Sequence, residues 1–463
     1  MRTNLAALLL APALAAAELP APVREALAKA GVPESAVGAV VAPVGGGAPL
    51  LSHNAERPLN PASAIKLVTT YAALDLLGPA HTFATDVLVT GEVAGGALAG
   101  DLVLRGGGDP KLTYERLWQL VRQLRARGLR EIRGDVILDR SLFATAAHDP
   151  AKFDGESRRA YNVGPDALLV NFKAIDFRFV PAGTGVRVLG EPDFPNVEIA
   201  SRVKAVAGAC NNWRRGLKYE IEEHGLLATV VFSGTYPADC GEKTWPLSVF
   251  DADRYAESAF RWIWSEAGGR FTGKVRAVTS PAGATLFHRF ESEPLAALVR
   301  DMNKFSNNVM ARQLFLALSS RKGAPGNAAA SERIVRDWLA ANGIATQGLA
   351  LENGSGLSRT DRIAASTLAA VLRAAWAAPV MPELVSSLSL FAVDGTFKTR
   401  NGSSAGQAHL KGGTLTGVQA VAGYVLDAKG ERSVVVMIVN HDNANRAQPA
   451  LDALVDWAWR GGK

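Results

Sequence analysis

Apolar and polar positions along the chain fall into three textures. Residues 18–79 are alanine-rich, with an opening helix that ends near Gly31 and a hairpin over 36–44 and 49–52 that turns at Gly45-Gly46-Gly47. A strong helix over 63–77 follows, and Gly78-Pro79 supplies its stop. From about 81 to 281 the pattern breaks into short alternating segments, among them 82–88, 101–104, 134–138, 186–189 and 226–232. Gly, Pro, Asn and Asp punctuate them, and one helix, 112–127, stands out, so this stretch reads as largely β. After Pro281 helical spacing returns over 292–303, 306–319, 331–341 and 361–378. Two strands, 418–426 and 433–439, meet across the turn Asp427-Ala428-Lys429-Gly430, and a helix over 449–460 closes the chain. The order predicts an α/β (α+β) chain whose outer parts, 18–80 and 282–463, form one domain. The inserted region, 81–281, is expected to form two mainly β subdomains.

The first seventeen residues carry an export pattern. Arg2 precedes an apolar stretch over 5–14, and the small-residue run Ala15-Ala16-Ala17 ends it, so cleavage is expected just before Glu18. The run is too short to span a bilayer and Pro12 interrupts it; no later segment reaches spanning length. The expectation is a periplasmic or secreted protein with no integral membrane span. The formal charge of +6 over 463 residues is small and is not gathered into a basic run, which argues against nucleic-acid binding. Two cysteines, Cys210 and Cys240, stand 30 positions apart (240 − 210). In an oxidising compartment such a pair is expected to form a disulfide, the alternatives being a metal pair or a nucleophile. No CxxC accompanies them, and the seven histidines are scattered without an HExxH pair, so neither a metal nor another cofactor is expected.

Three short segments carry candidate chemistry. Ser63-Ala64-Ile65-Lys66 is an S-x-x-K tetrad at the start of the predicted 63–77 helix, so the lysine amine and the serine hydroxyl share one face. A serine hydroxyl is a poor nucleophile until a base takes its proton, and a lysine becomes that base when its pKa is lowered by burial. A second match, Ser319-Ser320-Arg321-Lys322, closes a helix beside Gly323 and reads as a solvated end. Ser306-Asn307-Asn308 supplies S-x-N, in which Ser306 can relay a proton and Asn308 can orient the lysine and a substrate amide. An ordinary helix cap is the competing reading of this segment. Lys411-Gly412-Gly413-Thr414 offers a cation for a carboxylate, glycines for close approach of a substrate backbone, and a Thr414 amide to pair with that of Ser63 as an oxyanion hole. By itself it also reads as a glycine-rich loop with a surface lysine. Rival schemes are weaker: Gly402-Ser403-Ser404-Ala405-Gly406 has no strand and helix to make a nucleophile elbow, and 268–274 lacks the Ser or Thr that closes a P-loop.

In this order the three segments form the triplet of β-lactamases and penicillin-binding proteins. The chain resembles the class C low-molecular-mass penicillin-binding proteins, serine D-alanyl-D-alanine carboxypeptidases and endopeptidases. The spacing is that of this branch: 243 residues from Ser63 to Ser306 (306 − 63) and 105 from Ser306 to Lys411 (411 − 306). Further phrases are similar to the family's: Gly106-Gly107-Gly108-Asp109-Pro110, Tyr161-Asn162-Val163-Gly164-Pro165, Asn353-Gly354-Ser355-Gly356-Leu357-Ser358-Arg359 and Val393-Asp394-Gly395-Thr396. The resemblance implies a β-lactamase-like transpeptidase domain, an antiparallel sheet flanked by helices, with a large insertion between the first two motifs. It implies peptidoglycan stem peptides as substrates and β-lactam antibiotics as inhibitors. It implies Ser63, Lys66, Ser306, Asn308 and Lys411 as catalytic residues, and Gly413 and Thr414 as substrate-binding ones. Asp109 and Arg359 are implied as contacts to the stem peptide, with a buried structural ion pair the alternative for each. Two departures stand out: Gly412 where the family usually has a hydroxyl residue, and Asn353 where it commonly has aspartate. A catalytically silent wall-binding protein and a β-lactamase are the alternatives.

Overall fold

The computed structural model describes residues 18–144, 148–320 and 324–463; the expected leader, 1–17, and Lys322 of the second tetrad lie outside the described residues. Ten α-helices occur among the described residues: α1 (Ala21–Ala30), α2 (Lys66–Leu77), α3 (Tyr114–Ala126), α4 (Ala252–Glu266), α5 (Leu295–Lys304), α6 (Asn308–Ser320), α7 (Ala328–Ala341), α8 (Ala365–Ala377), α9 (Met381–Ser387) and α10 (Gln448–Trp459). Two compact units form, one from the chain up to Val68 with Leu339–Leu351 and Thr360–Lys463, the other from Thr69–Trp338 with Glu352–Arg359. This grouping follows contacts, and it puts 282–338 with the long middle stretch rather than with the outer parts of the expected division.

The first unit is built on a six-stranded antiparallel sheet. Its strands are β1 (Val37–Pro43), β2 (Leu51–His53), β3 (Ser389–Leu390), β4 (Ala408–Leu415), β5 (Val418–Leu426) and β6 (Arg432–Asn440), in the order β2-β1-β6-β5-β4-β3. The expected opening hairpin is β1 with β2, Val40 opposite Ser52. The apolar run in β6 is buried throughout from Val434 to Val439, because helices cover both faces of the sheet. On one face Val435, Met437 and Val439 join Val23 and Leu27 of α1 and Leu451, Leu454 and Val455 of α10 in one core. On the other, the buried Tyr424 hydroxyl of β5 donates to the Leu372 carbonyl of α8 at 2.7 Å. The antiparallel sheet flanked by helices is thus present.

Among the described residues the second unit holds three sheets. A five-stranded sheet includes Ala84–Val89, Leu102–Arg105, Val136–Asp139 and Thr285–Glu291; a six-stranded sheet runs through Ile175–Ala182, Gly185–Glu191, Val197–Val206, Leu217–His224, Leu227–Pro237 and Lys243–Leu247; four two-residue strands make the third. Cys210 and Cys240 are disulfide-bonded, with Cα atoms 4.8 Å apart. One element departs from the expected β texture: α4 is a second helix within 81–281. Its aromatic-rich sequence resembles a strand, yet Tyr255, Ala256, Ala259, Phe260, Ile263 and Trp264 recur at helical spacing and are all buried. Asp251 caps it by accepting from the Arg254 amide at 2.9 Å.

Candidate active site

Within the first unit the tetrad and the Lys411 segment meet. The chain enters the tetrad through a 3-10 turn, Ala62–Ile65, which leads directly into α2. Asn60 sets this turn: its Oδ1 accepts from the Ala62 amide at 2.9 Å, while its own amide donates to Asn440 Oδ1 at 2.7 Å and its carbonyl accepts from Asn440 Nδ2 at 2.9 Å. Ser63 is thereby clamped to the end of β6. Ala62 is held at φ 45° in this turn, a left-handed conformation that a non-glycine residue adopts only when its surroundings enforce it. Lys66 is completely buried, as its apolar flanks predict, and Nζ lies 2.9 Å from Ser63 Oγ. In its charged form the amine donates to the hydroxyl. Once neutral, it accepts the hydroxyl proton along the same line, which is the geometry a general base requires.

The segment expected just ahead of the 418–426 strand lies inside a strand of its own, β4. That strand pairs with β5 along its whole length, Lys411 opposite Ala422 and Thr414 opposite Gln419. On its other side β3 pairs with His409 and Leu410, and its register stops there, so the Gly412–Leu415 end of β4 lies beyond that pairing. That end is where an extended substrate backbone can add. Gly413 faces the tetrad turn: a Cβ there would run into the Pro61 carbonyl oxygen and stand 2.9 Å from the Ser63 nitrogen. Only glycine lets the strand and the nucleophile's turn approach this closely. Lys411 is fully buried, its Nζ donating to the Gly412 carbonyl at 2.8 Å, and burial pushes its pKa down to about 7. The surface-lysine reading of this segment is therefore excluded. The Thr414 hydroxyl is exposed and meets Gln419 Oε1 at 3.1 Å.

The other candidate residues belong to the second unit. Ser306 sits between α5 and α6 with φ 56°, again left-handed. A cap of the kind that competed with a chemical role is made by Asn307, the residue between Ser306 and Asn308. Asn307 Oδ1 accepts from the amides of Val309 at 2.9 Å and Met310 at 3.1 Å and so caps α6 itself. Three residues upstream, the buried Asn303 side chain exchanges hydrogen bonds with Thr70 of α2 at 3.1 and 3.3 Å. Asp109 is buried, its Oδ1 accepting from the Lys111 amide at 2.8 Å; burial raises its pKa to about 6, and it makes no ion pair among the described residues. The glycines before it are packed against backbone, since a Cβ at Gly106 or Gly107 would collide with the carbonyls of Ala167 or Ala84. Arg359 is exposed, its guanidinium 4.6 Å from the centre of the Phe153 ring. The Asn353 departure is accommodated: Oδ1 accepts from the Ser355 amide at 3.0 Å, and Nδ2 donates to the Leu357 carbonyl at 3.1 Å, a bond an aspartate does not make. Ser404 of the rejected elbow is buried, both its amide and its hydroxyl bound to Asp456.

Residues 19–460 match the D-Ala-D-Ala carboxypeptidase 3 (S13) family. A D-alanyl-D-alanine carboxypeptidase of Actinomadura sp. strain R39 is 30% identical over 433 residues, covering 89% of this chain and 79% of the relative. One from Haemophilus influenzae is 26% identical over 400 residues, covering 84% of this chain and 82% of the relative. Among solved structures, penicillin-binding protein 4 of Haemophilus influenzae superposes with a TM-score of 0.78 at 24% identity, covering 95% of this chain and 99% of that one. A second structure of penicillin-binding protein 4 from that organism, in complex with a β-lactam, gives a TM-score of 0.70 at 25% identity, covering 90% and 92%. With a match across nearly its whole length, a buried lysine on the hydroxyl of Ser63 and a glycine-bearing strand laid against that serine's turn, this chain belongs to the D-Ala-D-Ala carboxypeptidase 3 (S13) family of penicillin-binding proteins.

Proposed function

We propose that the protein cleaves D-alanyl peptide bonds of peptidoglycan stem peptides through an acyl-enzyme on Ser63, as a D-alanyl-D-alanine carboxypeptidase and cross-link-cutting endopeptidase. The observation that carries this reading is the 2.9 Å contact between Lys66 Nζ and Ser63 Oγ, with the lysine wholly buried. Neutral Lys66 takes the hydroxyl proton as Ser63 Oγ attacks the carbonyl of the penultimate D-alanine. The amides of Ser63 and Thr414 are assigned to the oxyanion, each such donor contributing about 2.7–4 kcal/mol in the transition state. Ser306 relays the proton held by Lys66 to the departing amine, Asn308 holds the acyl-donor side, and Lys411 takes the terminal carboxylate. Water then attacks the ester, its proton passing to the departing Ser63 Oγ, and the shortened peptide is released with the serine hydroxyl restored. A β-lactam enters by the same attack, but its leaving amine stays tethered to the acyl group, so the adduct persists on Ser63.

An exported protein suits this substrate. The leader pattern over 1–17 and the disulfide between Cys210 and Cys240 both favour a periplasmic or secreted location, which we propose for the mature chain. The test is labelling with a fluorescent penicillin followed by muropeptide mass spectrometry. Wild type is expected to label covalently and to shorten pentapeptides by one D-alanine, and Ser63→Ala to do neither. An unlabelled wild type that still binds peptidoglycan makes the protein a silent wall-binder, and rapid release of hydrolysed penicillin makes it a β-lactamase. Loss of cross-linked dimers in the same digest reports the endopeptidase activity.

A further inference from the structure

Position 412 separates this chain from the K-T-G pattern, in which the residue after the lysine carries a hydroxyl. The backbone does not demand the change. Gly412 sits in regular strand pairing opposite Val421, and its φ is not among the positive ones, so a side chain is conformationally allowed there. What stands in the way is Phe397. A Cβ added at Gly412 would meet Phe397 Cζ at 3.2 Å and Cε2 at 3.3 Å. The Phe397 ring has little freedom to withdraw: it is 2% exposed, belongs to the core of the first unit, and packs on Phe391 with centroids 6.1 Å apart. A threonine at 412 adds two further heavy atoms on that side, so it requires the ring to shift. The glycine and the phenylalanine are therefore one feature.

Its consequence falls on the leaving group. On the proposed reading Lys411 takes the terminal carboxylate of a substrate, and the exposed Thr414 hydroxyl lies three residues further along β4. From position 412 it meets no hydroxyl, and the ring of Phe397 fills that side. Burial also favours the neutral form of Lys411, which weakens the charge offered to that carboxylate. We infer that Gly412 and Phe397 together set specificity, Phe397 acting as the residue that keeps position 412 without a side chain. By occupying the space of a side chain at 412, it relaxes the requirement for a free terminal carboxylate, so that leaving groups with a neutral, amidated terminus are cleaved at rates approaching those for free D-alanine. The inference rests on the acyl-transfer reading of Ser63 and deepens it.

The experiment compares kcat/KM for two stem pentapeptides, one ending in free D-Ala-D-Ala and one in its carboxamide. The proteins are wild type, Phe397→Leu, Gly412→Thr and the double variant, each with its Tm. Wild type is expected to favour the free acid by less than about 10-fold, the scale set by one hydrogen bond to a charged group. Gly412→Thr alone is expected to lose activity on both peptides and to melt lower, since it overpacks the core. The double variant should recover Tm and raise the acid-to-amide ratio at least about 10-fold, to the level such a bond supplies. Phe397→Leu alone keeps the wild-type ratio, because removing the ring restores no hydroxyl. A purely structural role for the ring predicts changes in Tm with a constant ratio across all four proteins, and that result overturns the inference. So does a Gly412→Thr variant that raises the ratio with unchanged Tm. Penicillin labelling of Ser63 separates the two levels. If wild type does not label, the acyl-transfer reading has failed; if it labels and the ratio stays constant, only the inference about Phe397 has.

Discussion

At the scale of single residues, two buried amines divide the work, and each can be tested apart from the other. Lys66 touches the nucleophile, so replacing it with methionine, an apolar side chain of similar length, removes the base while leaving the buried stem filled. Acylation by a chromogenic β-lactam is expected to slow by roughly 10²–10⁴, the range of general-base contributions, with little change in Tm. A stopped-flow rate within a few-fold of wild type would remove Lys66 from the mechanism. Lys411 is suited to binding rather than proton abstraction, and its burial makes that binding depend on pH. Its ordinary pKa of 10.5 is pushed down to about 7 in the folded protein. The sign follows directly. Below about 7 both folded and unfolded chains carry the charge and the fold bears the full desolvation penalty; between about 7 and 10.5 only the unfolded chain holds the proton, so this group's contribution makes stability rise with pH. A bound carboxylate favours the ammonium and draws the proton back. At pH 8, binding of a D-alanyl ligand with a free carboxylate is therefore expected to take up protons, read by calorimetry in buffers of different ionisation enthalpy, and binding of its carboxamide to take up none. Equal uptake for both ligands would point to another group.

Secondary-structure elements decide whether those residues meet, and here the sequence reveals some devices and hides others. The tetrad is legible because three residues is nearly one helical turn, and Gly413 because a glycine in a strand signals close backbone approach. The structure adds what Gly413 approaches, the Pro61 carbonyl and the Ser63 amide. Gly413→Ala must push β4 away from the Ser63 turn, since the colliding atoms are backbone and have no rotamer to yield. Acylation is expected to fall by 10²-fold or more, on the scale of one lost oxyanion donor, with a destabilisation of about 1–3 kcal/mol. Wild-type acylation in that variant would mean that the strand and the turn are not held in contact. The Asn60–Asn440 clamp is invisible in sequence, because its partners lie 380 positions apart and neither belongs to a motif. The same holds for Phe397 against Gly412, where only packing shows why the hydroxyl is missing. The Asn307 cap is a different kind of loss. Three neighbouring residues, Ser306, Asn307 and Asn308, are all good caps by type, and only backbone geometry shows which one takes the role.

Across the whole molecule, the first unit is the more legible, since four of its six sheet strands and its closing helix follow periodic runs to within a residue or two of the observed ends, while Ser389–Leu390 and Ala408–Leu415 carry no such run. The second unit is legible in texture only. Its strands range from two residues to eleven, its sheets are assembled from distant segments, and α4 carries aromatic residues that suggest a strand until the 3.6 spacing of its buried face is read. Its six-stranded sheet also carries the disulfide, which makes that unit's stability separable from the chemistry of Ser63. The bond closes a loop of 30 residues, for which the chain-entropy account gives about 3–4 kcal/mol. Cys240 is buried in the main core of the unit and Cys210 packs against it, so replacing both by serine also places a hydroxyl in an apolar setting. Cys210→Ala with Cys240→Ala avoids that second cost. In this pair the melting transition of the second unit is expected to fall by roughly 6–15 °C, while penicillin acylation at 25 °C stays at the wild-type rate. Reduction of the wild-type protein should reproduce the shift in Tm and leave the alanine pair unchanged. If reduction instead abolishes acylation at 25 °C, the six-stranded sheet is doing more than supporting its own unit, and the disulfide belongs in the account of catalysis.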